Sequence, residues 1–404
     1  MYILKNILLE TGYRKENGQV TATETNPYHL TISDGRIVEI LNLNSELPED
    51  VKTIDGKGLL VLPSFKEQHV HLDKTYMGEP WRACVPASSV IERSEIEKNI
   101  LSSMETSTEE RAKNLLGVLL SHGSTSIRTH VDIYPEVGLA NLNGVQNALS
   151  DYQHKVDSEI VAFAQHGLLH GNTVQLLREA VRSGAGLVGS VDPATVDLDI
   201  EASLVQLFDI AVEGNAAIDL HLHDPGHLGT FTMKRIAAFT KEAGWQDKVS
   251  ISHAFALGDV ALAEAREVAQ VLKESGVSII SSVPIGRNIP PVRLLDELGV
   301  KVALGNDNIY DSWWPTGNGD ILERLGRLVE INRWTDELSL SQSLRFITNG
   351  ITPLAKDGEQ VWPVSGDVAD FVLVDATCAA EAVARRAKRT AVYHRGVLVA
   401  GELQ

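Results

Sequence analysis

Cysteine is nearly absent: Cys84 and Cys378 are the only two, far apart and in no Cys-x-x-Cys arrangement. That excludes a disulfide scaffold and a cysteine-rich zinc site, and it fits a reducing compartment. Positive charge is also scarce, with 36 lysines and arginines against 54 aspartates and glutamates and a formal net charge of -18. No basic cluster offsets that field, so nucleic acid and anionic membrane surfaces are excluded as partners, and a small neutral or cationic ligand is the easier guest. No window approaches the roughly 18 apolar residues of a membrane span. The opening MYILKNILLETGYRKENGQ lacks the basic-then-apolar order of a secretion signal, so the expected location is the cytoplasm.

What the chain does have is bulk. Its 404 residues, 43% of them hydrophobic, exceed the usual size of one core, so one large α/β barrel or two domains are expected. Residues 1–60 read as short strands and turns, with an Asp34-Gly35 hairpin signal inside HLTISDGRIVEIL. Residues 61–361 change texture, to apolar runs separated by amphipathic helical stretches such as ERAKNLLGVLLSHG and TVQLLREAVRSG. Residues 362–404 return to strands and turns.

The apolar runs number eight: GLLVLPSFKEQHVHLD, STSIRTHVDI, EIVAFAQHG, GLVGSVDPAT, AAIDLHLHD, KVSISHAF, VSIISSVP and VKVALGNDN. Eight βα repeats predict a (β/α)₈ TIM barrel, an α/β fold, with a small β-sandwich domain formed beside it by both termini. Polar residues gather at the C-terminal ends of the runs, where such barrels carry their chemistry.

Within EQHVHLDKT, His69 and His71 are two residues apart, so on a strand both project to one face, their backbones about 7 Å apart. An isolated pair of this kind is as well explained by an ordinary polar strand end. The rest of the chain changes the balance: His221 and His223 repeat the pattern on the fifth run, His253 ends the sixth and Asp307 ends the eighth. Nitrogen and oxygen donors in that mixture suit one borderline divalent cation, Zn or Fe, rather than Ca²⁺ or Mg²⁺. Three histidines, a carboxylate and an open position for water form a catalytic kind of site.

In this order, HVHLD after a Pro-Ser-Phe turn, THVD, AFAQHG, HLH, SHAF and GNDNIYDSWWPTGNGD resemble the amidohydrolase superfamily, specifically its cytosine deaminase-like branch. GDVADFVLVDA is similar to the strand that closes the small β-domain there, so the resemblance spans nearly the whole chain. It implies His69, His71, His221 and Asp307 as metal ligands, His253 beside the metal water, and proton transfer shared by His253 and Asp307. It also implies Gln165 as a hydrogen-bond partner of the substrate ring, and a homo-oligomer. The expected reaction is attack of metal hydroxide on an amino-bearing carbon of a cytosine-like heterocycle, with release of ammonia.

Two positions depart from that branch. Where it has a glutamate three residues after the strand-five histidine, this chain has Asp224, one methylene shorter. Either Asp224 still shuttles protons, or His223 or a water shares that role, or Asp224 only caps the Pro225-Gly226 turn. Lys74 follows HLD where the branch has a small hydroxyl residue. With Asp307-Asn308 it is closer to the N-isopropylammelide isopropylaminohydrolase type, which works on an aminated triazine. Lys74 and Asn308 are therefore candidate ring contacts, against a lysine that snorkels to solvent. Asp192 is either a substrate contact or a turn residue, and Trp313 with Trp314 is either an aromatic lid or loop packing. His130 is expected to make a core hydrogen bond, and His227 is a weaker substrate contact. The rival functions are hydrolysis of an N-alkylamino-triazine or cyclic amide C–N bond, and a non-catalytic metal- or ligand-binding barrel.

Overall fold

The computed structural model describes residues 1–403. Eight parallel strands follow one another around a barrel in chain order: Phe65–Val70, Ser124–Asp132, Asp157–Ala164, Leu187–Ser190, Ala217–Leu222, Val249–His253, Ser278–Ser281 and Val302–Leu304. A parallel bridge between Val70 and Asp307 closes the ring. These strands are buried on both faces, so they read as continuous apolar runs rather than alternating ones.

The helices between them form for local reasons. ERAKNLLGVLLSHG lies mostly in the helix Thr108–Ser121, which opens on a capping box: Ser107 accepts from the Glu110 backbone while Glu110 reaches back to the Ser107 N–H. Leu115, Leu116, Leu119 and Leu120 recur on one face and are buried against the barrel. TVQLLREAVRSG gives the helix Thr173–Arg182.

Both termini meet in a second, mixed sheet of eight strands. Its hairpin at Asp34-Gly35 has both residues at positive φ, 51° and 76°, as a tight two-residue turn requires. One difference from the sequence reading concerns the first apolar run. It is two strands in two sheets: Leu60–Pro63 pairs antiparallel with Phe371–Val374 in the terminal sheet, and Phe65 begins the barrel. Ser64 is the joint, its N–H given to Asp370 and its hydroxyl 2.6 Å from that of Thr125. The terminal sheet thus takes in residues beyond the expected 60/61 division. Among the described residues no helix is long and apolar enough to cross a membrane.

Candidate active site

The first barrel strand ends at the closing seam, and the site is built around that seam. Asp307 donates its N–H to the carbonyl of His69 at 2.6 Å. Its Oδ1 stands 3.4 Å from Nε2 of both His69 and His71, and its Oδ2 4.0 Å from Nδ1 of His253. His71 Nε2 and His221 Nε2 face each other at 3.4 Å. Donor atoms of His69, His221, His253 and Asp307 all lie within 4.8 Å of one another, as do those of an overlapping group, His69, His71, His130 and His221.

Whether these residues suit a cation is decided by their unspent atoms. His69 Nε2, His71 Nδ1, His221 Nδ1 and both ring nitrogens of His253 are buried without a hydrogen-bond partner among the described residues. Such orphans are costly unless something else satisfies them. Burial holds the imidazoles of His71, His221 and His253 well below their ordinary value, so they are neutral and keep lone pairs to offer. Burial would raise the Asp307 carboxyl, but the surrounding histidines, His253 first, hold it well below the carboxylate range. Neutral nitrogens around one ionised oxygen fit a divalent cation that accepts nitrogen and oxygen ligands.

The backbone bends to achieve this. His253 and Asp307 sit at φ 73° and 63°, in the left-handed region, each at or just past a strand end. Residues with a Cβ hold that region only where the surroundings compel it. Behind His69, Nδ1 lies 2.8 Å from Ser252 Oγ, and Ser252 donates to Asp219 Oδ1 at 2.7 Å. Arg128 ties Asp219 from the other side at 3.0 Å. That chain fixes which His69 nitrogen turns toward Asp307.

His130 is fully buried with Nε2 3.5 Å from Asp219 Oδ1, a long contact that serves as its core polar partner, and its ring lies 4.1 Å from that of His69.

His223 lines the cavity and stacks on His253, ring centres 4.3 Å apart. Asp192 supports it from behind: Oδ2 is 2.8 Å from His223 Nδ1, and Oδ1 accepts the N–H groups of His223 and Asp224. Burial would lower the His223 imidazole, but the Asp192 carboxylate holds it above its ordinary value. Asp192, one of the substrate-contact candidates, is therefore not on the cavity wall. Neither is Asp224, for which a proton shuttle is one of three readings; its Oδ2 is buried without a hydrogen-bond partner among the described residues. Thr195 donates to its Oδ1 at 2.8 Å and draws the short carboxylate beneath the loop after the fourth strand. His227 is exposed and pairs with Glu264, away from the cavity.

The cavity above the cluster has a volume of about 250 Å³. Lys74 is on its wall and does not reach solvent: it is 1% exposed, held by Glu97 at 3.2 Å, Asp132 at 3.1 Å and Gln165 at 2.9 Å. Burial alone would strip its charge; the Asp132 and Glu97 carboxylates keep it protonated. Gln165 accepts from Lys74 and donates to Ser94, so both ends of its amide are engaged beside the cavity. Asn308 gives its Nδ2 to Asp311. Asp311 also accepts the N–H groups of Trp313 and Trp314, and Trp313 donates its Nε1 to Glu97 at 2.7 Å. Both tryptophans line the cavity, so packing and wall are one arrangement rather than alternatives.

Several residues escape a histidine-led reading. Glu67 is fully buried and accepts from the N–H groups of His69 and Asn306 and from Asn306 Nδ2. Glu67 and Asp219 each lie two residues before a histidine on the same strand, so the two-residue alternation that exposes His69 and His221 points to them as well. Glu97 comes from the helix Val90–Leu101, and Arg287 and Arg324 from segments beyond the seventh and eighth strands; no spacing signals these.

Residues 100–403 match the amidohydrolase family. The chain is 40% identical to the uncharacterized protein YahJ of Escherichia coli (strain K12), across 100% of its own length and 88% of that protein's. It is 30% identical to the N-isopropylammelide isopropyl amidohydrolase of Pseudomonas sp. (strain ADP), across 98% and 97% of the two chains. The solved N-isopropylammelide isopropylaminohydrolase of Burkholderia multivorans superposes with a TM-score of 0.87 at 32% identity, covering 99% of each chain. The 5-methylcytosine deaminase of Klebsiella pneumoniae, liganded with 5-fluorocytosine, does so at 0.80 and 25%, covering 100% of this chain and 98% of that one. The barrel with its terminal sheet is shared throughout, and a match of this length and depth makes the chain a member of the amidohydrolase family.

Proposed function

We propose that the chain is a metal-dependent aminohydrolase that releases ammonia from a cytosine-like or related nitrogen heterocycle. The observation that carries this reading is the convergence of His69 Nε2, His71 Nε2, His221 Nε2, the His253 ring and the Asp307 carboxylate beneath a cavity walled by Trp313 and Trp314. Those two walls are flat and apolar, as a planar ring requires.

His69, His71, His221 and Asp307 would hold one divalent cation, Zn or Fe. Such an ion, when bound, acidifies water to near neutrality and polarises the carbon to be attacked. His253 and Asp307 Oδ2 take the proton from the attacking water and return it to the leaving amine, a transfer their facing positions permit. His223, held by Asp192, presents its other ring nitrogen to the ring edge. Asn308 orients a ring oxygen, and Lys74, whose three N–H groups go to Glu97, Asp132 and Gln165, sets a positive charge behind that wall. Asp224 supports the loop of Thr195 rather than carrying the proton.

The experiment is a screen for ammonia over pyrimidines, pterins and triazines, with the metal content measured on the same preparation. Turnover that is lost with the metal and restored by Zn²⁺, Fe²⁺ or Mn²⁺ supports the reading; full activity without metal overturns it. A second reading, release of an alkylamine from an N-alkylamino-triazine, is favoured by the buried Lys74 beside Asn308 and by the two relatives named for N-isopropylammelide. Identifying the released amine separates the two.

A further inference from the structure

Three cationic side chains reach the cavity, and they differ in what neutralises them. Lys74 has Glu97 and Asp132 at ion-pair distance. Arg324 is 3% exposed, yet its partners are neutral: Nε donates to Asn306 Oδ1 at 3.2 Å and Nη1 to the Ser282 carbonyl at 3.1 Å. Asp307, Glu323 and Glu67 are the acids that act on it, yet none forms an ion pair with it among the described residues, and Glu67 reaches it only through Asn306, whose Nδ2 donates to Glu67 at 2.6 Å. Arg287 stands on the rim with its guanidinium 5.1 Å from the Phe255 ring centre, and pairs with no carboxylate among the described residues.

The two arginines share one sector of the mouth. Arg287 follows the seventh strand and Arg324 the eighth, which are paired neighbours, and the Ser282 carbonyl that holds Arg324 opens the loop that bears Arg287. The wall itself offers one carboxylate, Asp307, and that faces the histidines. A chain with a net charge of -18 thus keeps a locally positive pocket, contrary to the neutral or cationic guest that composition favours. A guanidinium with free N–H groups selects a planar, delocalised anion, which it can bind through two parallel hydrogen bonds.

We infer that the heterocycle hydrolysed at this site carries a carboxylate, seated on Arg287 and Arg324. This rests on the aminohydrolase reading for the reaction, but not for the binding. The test measures binding of product rings to the metal-loaded protein by calorimetry: uracil, uracil-5-carboxylate, uracil-6-carboxylate, and cyanurate, whose charge lies on ring oxygen. At least one carboxylate is expected to bind about 10- to 100-fold tighter than uracil, as charge-assisted hydrogen bonds allow. Arg287→Ala reduces that preference to a few-fold, and Arg287→Lys restores part of it. Arg287 is exposed, so the variant keeps its fold, and its melting temperature checks this.

Equal binding of uracil and both carboxylates, a preference untouched by Arg287→Ala, or cyanurate bound as tightly as the carboxylates overturns the inference. Ammonia release is followed in parallel from cytosine and cytosine-5-carboxylate. A carboxylate preference in binding with no turnover of any ring would remove the aminohydrolase reading and leave the anion subsite standing. Turnover without the preference would do the reverse.

Discussion

Val70 and Asp307 bridge in parallel across the seam where the eighth barrel strand meets the first, and Asp307 gives its N–H to His69. Closure of the barrel and assembly of the candidate metal ligands are therefore one event. Asp307→Ala is expected to bring ammonia release below detection and to lower the bound metal, with the barrel retained by circular dichroism. Wild-type turnover in a fully loaded variant would overturn the role given to this carboxylate.

Removing the metal has a thermodynamic consequence besides lost activity. An ion that binds only the folded chain stabilises it by mass action, by about 4 kcal/mol at a thousandfold excess over its dissociation constant. Chelation should therefore lower the melting temperature, and Zn²⁺ should raise it again in a concentration-dependent way. A melting temperature indifferent to both argues that the histidines hold no ion.

Asp219 touches no cavity atom but holds His69 through Ser252. Asp219→Asn weakens that hold and leaves the Arg128 guanidinium without its buried partner. Loss of such outer supports costs about 10- to 100-fold in metal affinity or activity. Titration of metal binding reads the first, and turnover at saturating metal reads the second.

Asp192 and Asp224 offer a direct contrast. Asp192→Asn removes the carboxylate that orients His223 and is expected to lower kcat by about 10- to 100-fold. Asp224→Asn keeps an acceptor for Thr195 and is expected to stay within about threefold of wild type, as a variant away from the reacting atoms does. The reverse order of effects would restore Asp224 as the proton carrier.

Glu10 makes stability depend on pH far from the site. It is 1% exposed, accepts one N–H from Ala379 and leaves Oε2 unpaired, and burial pushes its carboxyl up from 4.5 to about 7. The folded chain then holds this proton more tightly than the unfolded one. Its contribution is full below pH 4.5 and is lost as pH rises to about 7, by at most about 3 kcal/mol. Urea denaturation at pH 5 and pH 8 should show that part of the decline in wild type and not in Glu10→Gln.

The barrel is legible in the sequence because parallel strands buried on both faces must be apolar throughout, and eight such runs stand out. The candidate ligands are legible because strand alternation projects His69 with His71, and His221 with His223, to one side. What escapes has physical reasons. The break at Ser64 is hidden because Leu60–Pro63 and Phe65–Val70 are both buried strands, and burial alone does not say in which sheet. The sequence leaves Lys74 open between a ring contact and a lysine that snorkels to solvent, because its partners, Glu97 and Asp132, arrive from a helix and a strand that are remote in sequence. The hydrogen bond from Thr195 to Asp224 is a contact between two loops that no periodicity encodes.

The pairing of Leu60–Pro63 with Phe371–Val374 also dictates timing during synthesis. The segment leading into His69 waits for a partner translated some three hundred residues later. A nascent polypeptide stalled short of residue 371 would leave that edge bare and open to wrong associations. Catalytic competence would accordingly appear only after the ribosome has delivered the far side of the chain.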